Sequence, residues 1–270
     1  MDLQVNQQSV YAYTGGKAFD PAIPCVVFIH GALNDHSVWT LLARQLAHHG
    51  YSVLALDLPG HGRSDGPLLQ DIEAAGTWVL ACLDAAGVQQ AAFVGHSMGS
   101  LIALEAAAQV PARASRLVMV GTAYPMKVSA ALLDTAQNDP LAAIDMVNSF
   151  SHSTWAAKPS YPGPGGWLHG GSRALMRRVQ AGWAPSNLFR HDFQLCNDYA
   201  NGAHAAQQVS CAVHFVLGER DQMTPSRQTR ELATLLKPMV HHLPAGHALM
   251  QEDPEGMLKV LQIALKGMLK

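Results

Sequence analysis

The segment Gly95-His96-Ser97-Met98-Gly99 confines the chain more than any other stretch of it. Ala91-Ala92-Phe93-Val94 before it is a short apolar run, long enough for a buried strand. Leu101-Ile102-Ala103-Leu104-Glu105-Ala106-Ala107-Ala108 after it is rich in helix formers. A strand must therefore hand over to a helix within one tight turn, with Ser97 at its tip. Gly95 and Gly99 lack the side chains that would keep strand and helix apart. A serine at such a turn is forced into a strained backbone conformation that pushes its Oγ out of the sheet. The N-terminus of the following helix also aims free N–H groups at any anion forming there.

The rest of the chain repeats this strand-to-helix rhythm. Apolar runs at 26–29, 52–56, 91–94, 116–120 and 212–217 read as strands, and a further strand is expected at 239–243. Helical spacing is expected over 37–49, 69–86, 98–109, 226–236 and 254–268, with Gly50 and Gly87 as stops. Such alternation predicts an α/β fold, with a mostly parallel central sheet covered by helices on both faces. The rhythm breaks after Gly121. Residues 123–207 hold helical stretches such as 130–137 and 172–180 and a Gly/Pro run over 159–166, without a β-pattern. We therefore expect a core domain of residues 1–122 and 208–270. Residues 123–207 form a mainly helical insertion over the carboxyl ends of the strands, where open α/β sheets build their ligand crevice.

Composition excludes several classes of partner. Of 270 residues, 49% are hydrophobic and 14% charged, and the net charge is −2, so a large core is expected and a nucleic-acid surface is not. No run of 18 apolar residues predicts a membrane span. The first residues lack the charged-then-apolar pattern of a secretory signal, so a cytoplasmic protein is expected. Cys25, Cys82, Cys196 and Cys211 lie far apart without a Cys-x-x-Cys pair, and read as reduced, mostly buried thiols. Fourteen histidines occur without metal-ligand spacing, so neither a metal nor a cofactor is expected.

A serine hydroxyl is a poor nucleophile at neutral pH. It needs a base in reach, and the base needs an orienting acid. Asp221 follows the apolar run 212–217 in Gly218-Glu219-Arg220-Asp221, and His247 follows 239–243 in Pro244-Ala245-Gly246-His247. Both fall on loops at the sheet edge that carries Ser97, in the order Ser, Asp, His. His241, His242 and Glu219 are the rival base and acid positions. The place after strand 116–120, where another acid could sit, holds Gly121-Thr122-Ala123. Backbone N–H groups of Met98 and of Ala32, after His30-Gly31, are the expected oxyanion donors.

With these residues in place the chain resembles the α/β-hydrolase superfamily, in its serine-nucleophile, lidded, esterase- and lipase-like form. The resemblance runs over nearly the whole length. It rests on His30-Gly31 with Trp39 after it, Asp57-Leu58-Pro59-Gly60-His61-Gly62-Arg63-Ser64, Gly95-His96-Ser97-Met98-Gly99, Gly218-x-x-Asp221 and Gly246-His247. It implies catalytic Ser97, Asp221 and His247, a lid at 123–207, and mainly structural Asp57, His61, Arg63 and His96. Serine at 97 argues against haloalkane dehalogenases and epoxide hydrolases, which carry aspartate there. Leu33, Tyr124, Met126, Trp155, Trp183, Met223 and Leu249 are candidate walls of an apolar pocket for a small uncharged ester. Two other functions stay open. One is cleavage of a carbon–carbon bond in an acidic vinylogous diketone, with Arg173 or Arg190 as clamp. The other is a non-catalytic ligand receptor.

Overall fold

In three strands of the chain every residue is buried, which requires cover on both faces of the sheet: β3 (Cys25–Ile29), β4 (Ser52–Leu56) and β5 (Ala91–His96). The computed structural model describes residues 1–154, 166–183 and 187–269. Five further strands, β1 (Asp2–Val5), β2 (Gln8–Tyr13), β6 (Ala114–Val120), β7 (Ala212–Gly218) and β8 (Met239–Leu243), complete an eight-stranded sheet. Its order is β1-β2-β4-β3-β5-β6-β7-β8. The pairs from β4 to β8 are parallel, while β1 and β2 form an antiparallel hairpin that joins the edge of β4.

Alternate residues feed two cores. Val27, Ile29, Leu54, Leu56 and Phe93 face α2 (Ile72–Ala85) and α3 (Met98–Gln109). Val26, Phe28, Val53, Ala55 and Val94 face α1 (Thr40–His48) and a pair of helices named below. Among the described residues, five helices separate β6 from β7: α4 (Ala130–Asn138), α5 (Pro140–Ser151), α6 (Leu168–Gly182), α7 (Leu188–Asp198) and α8 (Gly202–Gln208). Leu132, Ile144, Val147, Met176, Leu188 and Phe189 from α4–α7 build a third apolar cluster around Leu33. The chain closes through α9 (Arg230–Leu236), α10 (Leu249–Glu252) and α11 (Pro254–Ala264), the last two packing on the α1 side. No described helix is long and apolar enough to cross a membrane.

Local chemistry explains where the structure departs from the periodicity. The second helix begins at Ile72 rather than 69, because Asp71 accepts from the Ala74 N–H and caps it there. Residues 36–39 form a 3₁₀ turn capped by Asp35, so α1 starts only at Thr40. The last helix ends at Ala264, four residues short of the expected end. The β1–β2 hairpin was not expected. Its strands are short, and the strand pattern emerges only when β2 pairs with β4. All four cysteines are free; three are buried and Cys211 is half-buried.

Candidate active site

Ser97 follows β5 and caps α3 at φ 52° and ψ −120°, in the left-handed region that side-chain-bearing residues avoid. The turn is held by the Ser97 N–H donating to the Val120 carbonyl at 2.9 Å and by the Ser100 hydroxyl donating to the Ser97 carbonyl at 2.6 Å. A Cβ on Gly95 would lie 2.0 Å from the Gly99 carbonyl oxygen, and one on Gly99 would lie 2.4 Å from that of Ile29. The strand, the turn and the neighbouring β3 loop therefore touch through backbone alone.

The loops after β7 and β8 bring a buried acid and a buried base together. His247 Nδ1 donates to Asp221 Oδ2 at 2.9 Å. Asp221 Oδ1 accepts from the N–H groups of Met223 and Thr224, each at 2.8 Å, and Oδ2 accepts from the Thr224 hydroxyl at 2.7 Å. Burial alone would raise the Asp221 carboxyl. The His247 ring and the Thr224 donors outweigh it and hold the carboxyl well below the usual carboxylate range. With Nδ1 committed, Nε2 is the His247 nitrogen left for chemistry. The His247 and Ala248 N–H groups both donate to the Ser151 carbonyl at the end of α5, at 2.8 and 3.0 Å. Thr224 was not anticipated; an Asp-x-x-Thr spacing after a strand, which lets the hydroxyl fold back on the carboxylate, is the signal that could have found it.

Gly31 packs against the same turn, its Cβ position 3.2 Å from the Ser97 Cβ. The N–H groups of Ala32 and Met98 have no hydrogen-bond partner among the described residues. Leu33 follows at φ 54°, and its N–H donates to Asp192 Oδ2 at 2.7 Å. His96 sits beneath His247 and donates from Nε2 to its carbonyl oxygen at 2.9 Å. Asp57 ties its loop together by accepting from the His36 N–H, the His36 ring and the Arg63 N–H. Asp35, His36 and Asp57 place their ligand atoms within 4.8 Å of one another. These carboxylates are already engaged by His36, Arg63, Ser37 and Arg178, the chemistry of a braced loop.

Two neighbouring imidazoles are kept neutral. Burial, aided by the nearby His61 and His247 rings, pushes His30 down to about 4 and His96 down to about 3. Unfolded, both rings take up a proton near pH 6.5. Between the two ranges the unfolded chain binds more protons, so stability falls as the pH is lowered, by up to about 1.4 kcal/mol per unit for each ring. His61 is raised instead; burial opposes this, but Asp192 outweighs it. Its contribution is complete below about 6.5 and lost above, which offsets the loss only in part. We expect unfolding free energy at pH 5 to be about 3 kcal/mol below that at pH 7. Denaturant titration at the two pH values checks this, and equal stability would contradict it.

Ser97 and His247 share the wall of a cavity of about 330 Å3 with Gly31 and Ala32. Its other walls are largely apolar and come from both parts of the chain: Met126, Val128, Leu132, Met146, Phe150, Met176, Phe193, Met223 and Met250. Of the expected pocket residues, Met126 and Met223 line it. Leu33 is sealed in the α4–α7 cluster, and Leu249 packs in the α1-side core. The Tyr124 hydroxyl donates to the Ala200 carbonyl, and Trp183 is spent covering Gly60 and Gly66. Trp155 lies outside the described residues. Arg173 pairs with Asp145 and Arg190 donates to Gln137, so neither guanidinium reaches the cavity. Glu219 is exposed, and His241 and His242 lie within β8.

A family profile described as the alpha/beta hydrolase fold matches residues 24–157. A protein of Escherichia coli O7:K1 (strain IAI39 / ExPEC), provisionally named the carbamate hydrolase RutD, is 26% identical over 269 residues, covering 91% of this chain and 92% of the relative. The chain spans only 36% and 28% of the lengths of two other curated relatives that it matches. Among solved structures, an esterase from Exiguobacterium antarcticum superposes with a TM-score of 0.84 at 16% identity, covering 99% of both chains. The enol-lactonase from Burkholderia xenovorans LB400 gives 0.79 at 20% identity, covering 98% of this chain and 99% of its own. At these identities the two structures speak for the fold alone.

Proposed function

We propose, from the premise that the chain belongs to the α/β-hydrolase superfamily, that this hydrolase cleaves small to medium uncharged carboxylic esters through an acyl-Ser97 intermediate. The observation that carries the reading is the buried Asp221–His247 pair opening onto the same apolar cavity as Ser97. In this mechanism Ser97 Oγ attacks the ester carbonyl while His247 Nε2 takes its proton. The oxyanion is met by the N–H groups of Ala32 and Met98, which have no acceptor to give up among the described residues. His247 then protonates the leaving alcohol, and a water activated by the same ring releases the acid. Asp221 holds the ring in its Nδ1–H tautomer and balances the imidazolium. Asp221→Asn is therefore expected to lower kcat by about 10⁴-fold at unchanged fold, as measured by steady-state kinetics and circular dichroism.

Residues 123–207 act in this reading as a lid, which supplies Met146, Phe150, Met176 and Phe193 to the acyl wall. No step needs a metal or cofactor, and the free cysteines suit a cytoplasmic setting. Lactones and carbamates, which the names of the enol-lactonase and of the provisionally named carbamate hydrolase point to, present the same carbonyl chemistry and are natural further substrates. The carbon–carbon hydrolase reading is less well supported, because Arg173 and Arg190 are engaged away from the cavity. A receptor would not need the Thr224 and His247 donors focused on Asp221.

The test is hydrolysis of p-nitrophenyl esters from acetate to decanoate. Turnover with an optimum at intermediate length is expected; no turnover at any length overturns the ester reading. Met176→Trp should shift the optimum to shorter chains, since the larger ring fills the acyl wall.

A further inference from the structure

We propose that Asp192, on the lid helix α7, is a positioning residue that fixes the oxyanion loop by gripping the Ala32–Leu33 peptide. The inference rests on the acyl-serine reading above. The peptide is held at both ends. Its N–H donates to Asp192 Oδ2 at 2.7 Å, and its carbonyl, that of Ala32, accepts from the Asn34 side-chain amide at 3.0 Å. That grip fixes the plane directly after Ala32, and with it the direction of the Ala32 N–H. Leu33 is meanwhile kept at φ 54°, which a leucine does not adopt unaided.

Asp192 is itself fully enclosed, 1% exposed, and its charge is answered by another buried group. His61 Nε2 donates to the same Oδ2 at 2.8 Å, while His61 Nδ1 donates to the Pro59 carbonyl at 3.1 Å. A ring that donates from both nitrogens is an imidazolium. The pairing holds Asp192 below its ordinary range, although burial pulls the other way. His61 thus locks the carboxylate in place, and the carboxylate locks the loop. Three segments, 31–34, 59–61 and 188–198, meet at one oxygen atom. The oxyanion donors themselves come from the core; a side chain from the insertion holds the loop that carries one of them.

The decisive experiment replaces Leu33 by its α-hydroxy acid, which turns the one N–H into an ester oxygen and leaves every side chain in place. Asp192→Ala and Asp192→Asn are measured beside it. The readouts are kcat and KM on the best p-nitrophenyl ester and the rate of Ser97 labelling by a fluorophosphonate. The backbone ester and Asp192→Ala are expected to lower kcat and the labelling rate by about 10- to 100-fold, with KM within about threefold, because the loss falls on the oxyanion. Asp192→Asn should recover to within about threefold of the native chain. Its amide oxygen, placed where Oδ2 stands, still accepts from both the Leu33 N–H and His61 Nε2. If Asp192→Ala does not fold, the backbone ester decides alone. A backbone ester that reacts as fast as the native chain, or a loss carried by KM, overturns this inference while leaving the acyl-serine reading intact. A native chain that fluorophosphonate does not label at Ser97 overturns both together.

Discussion

Ser97→Ala is expected to lower kcat on a p-nitrophenyl ester by about 10⁶-fold while leaving the unfolding transition near that of the native chain. The side chain adds little to the turn, which is held by the Ser97 N–H, the Ser97 carbonyl and the flanking glycines. What disappears is the one atom able to form the acyl bond. The Asp221–His247 pair and the Ala32 and Met98 N–H groups survive, so a residual rate above that in water is expected. Steady-state kinetics measures the loss, and intact mass after a short reaction detects the acyl group on the native chain alone. Residual turnover within tenfold of native would remove Ser97 from the mechanism.

Gly95→Ala is expected to cost about 3–5 kcal/mol of stability. The new Cβ would lie 2.0 Å from the Gly99 oxygen, 2.4 Å from the Gly99 carbonyl carbon and 2.7 Å from the Ser100 nitrogen. All three are backbone atoms, so no rotamer change relieves the clash. The backbone has nowhere to go: β5 is paired on both sides, to β3 and β6, and α3 is buried from Met98 to Ala108. Gly171→Ala is the control. That glycine is exposed near the start of α6, with nothing within 4 Å of its Cβ position, so a gain of about 0.5–1 kcal/mol is expected. Equilibrium denaturation of both variants makes the comparison, and a Gly95→Ala chain as stable as native would refute the close approach.

The sheet strands from β3 to β7 were legible because their signals are local: largely apolar runs of five to seven residues bounded by glycine, proline or a capping side chain. The positions of Ser97, Asp221 and His247 at one sheet edge were legible for a related reason. In a parallel sheet every strand's carboxyl end faces the same side, so strand order along the chain places the loops without any coordinates. The β1–β2 hairpin was not legible, because its partner β4 lies some forty residues away and decides whether those short stretches pair.

The cavity walls were the least legible part. Aromatic residues of the insertion looked like the natural lining, yet Tyr124 and Trp183 are spent on the Ala200 carbonyl and the Gly60 turn. The lining is rich in methionine instead. A side chain's period along its helix says which face it occupies but not what that face meets.

By itself, then, the amino-acid sequence determined the strand–turn–helix at Ser97, the alternation that makes a covered parallel sheet, and the edge at which an acid and a base gather. These follow from spacing within windows of a few residues. Only the tertiary structure decided that Ser151 would hold the His247 loop, and that Asp192 would reach His61 and Leu33 from 131 and 159 residues away. Those contacts depend on how the α4–α7 cluster packs onto the sheet. Close packing between distant segments leaves no periodic trace in the chain that forms it.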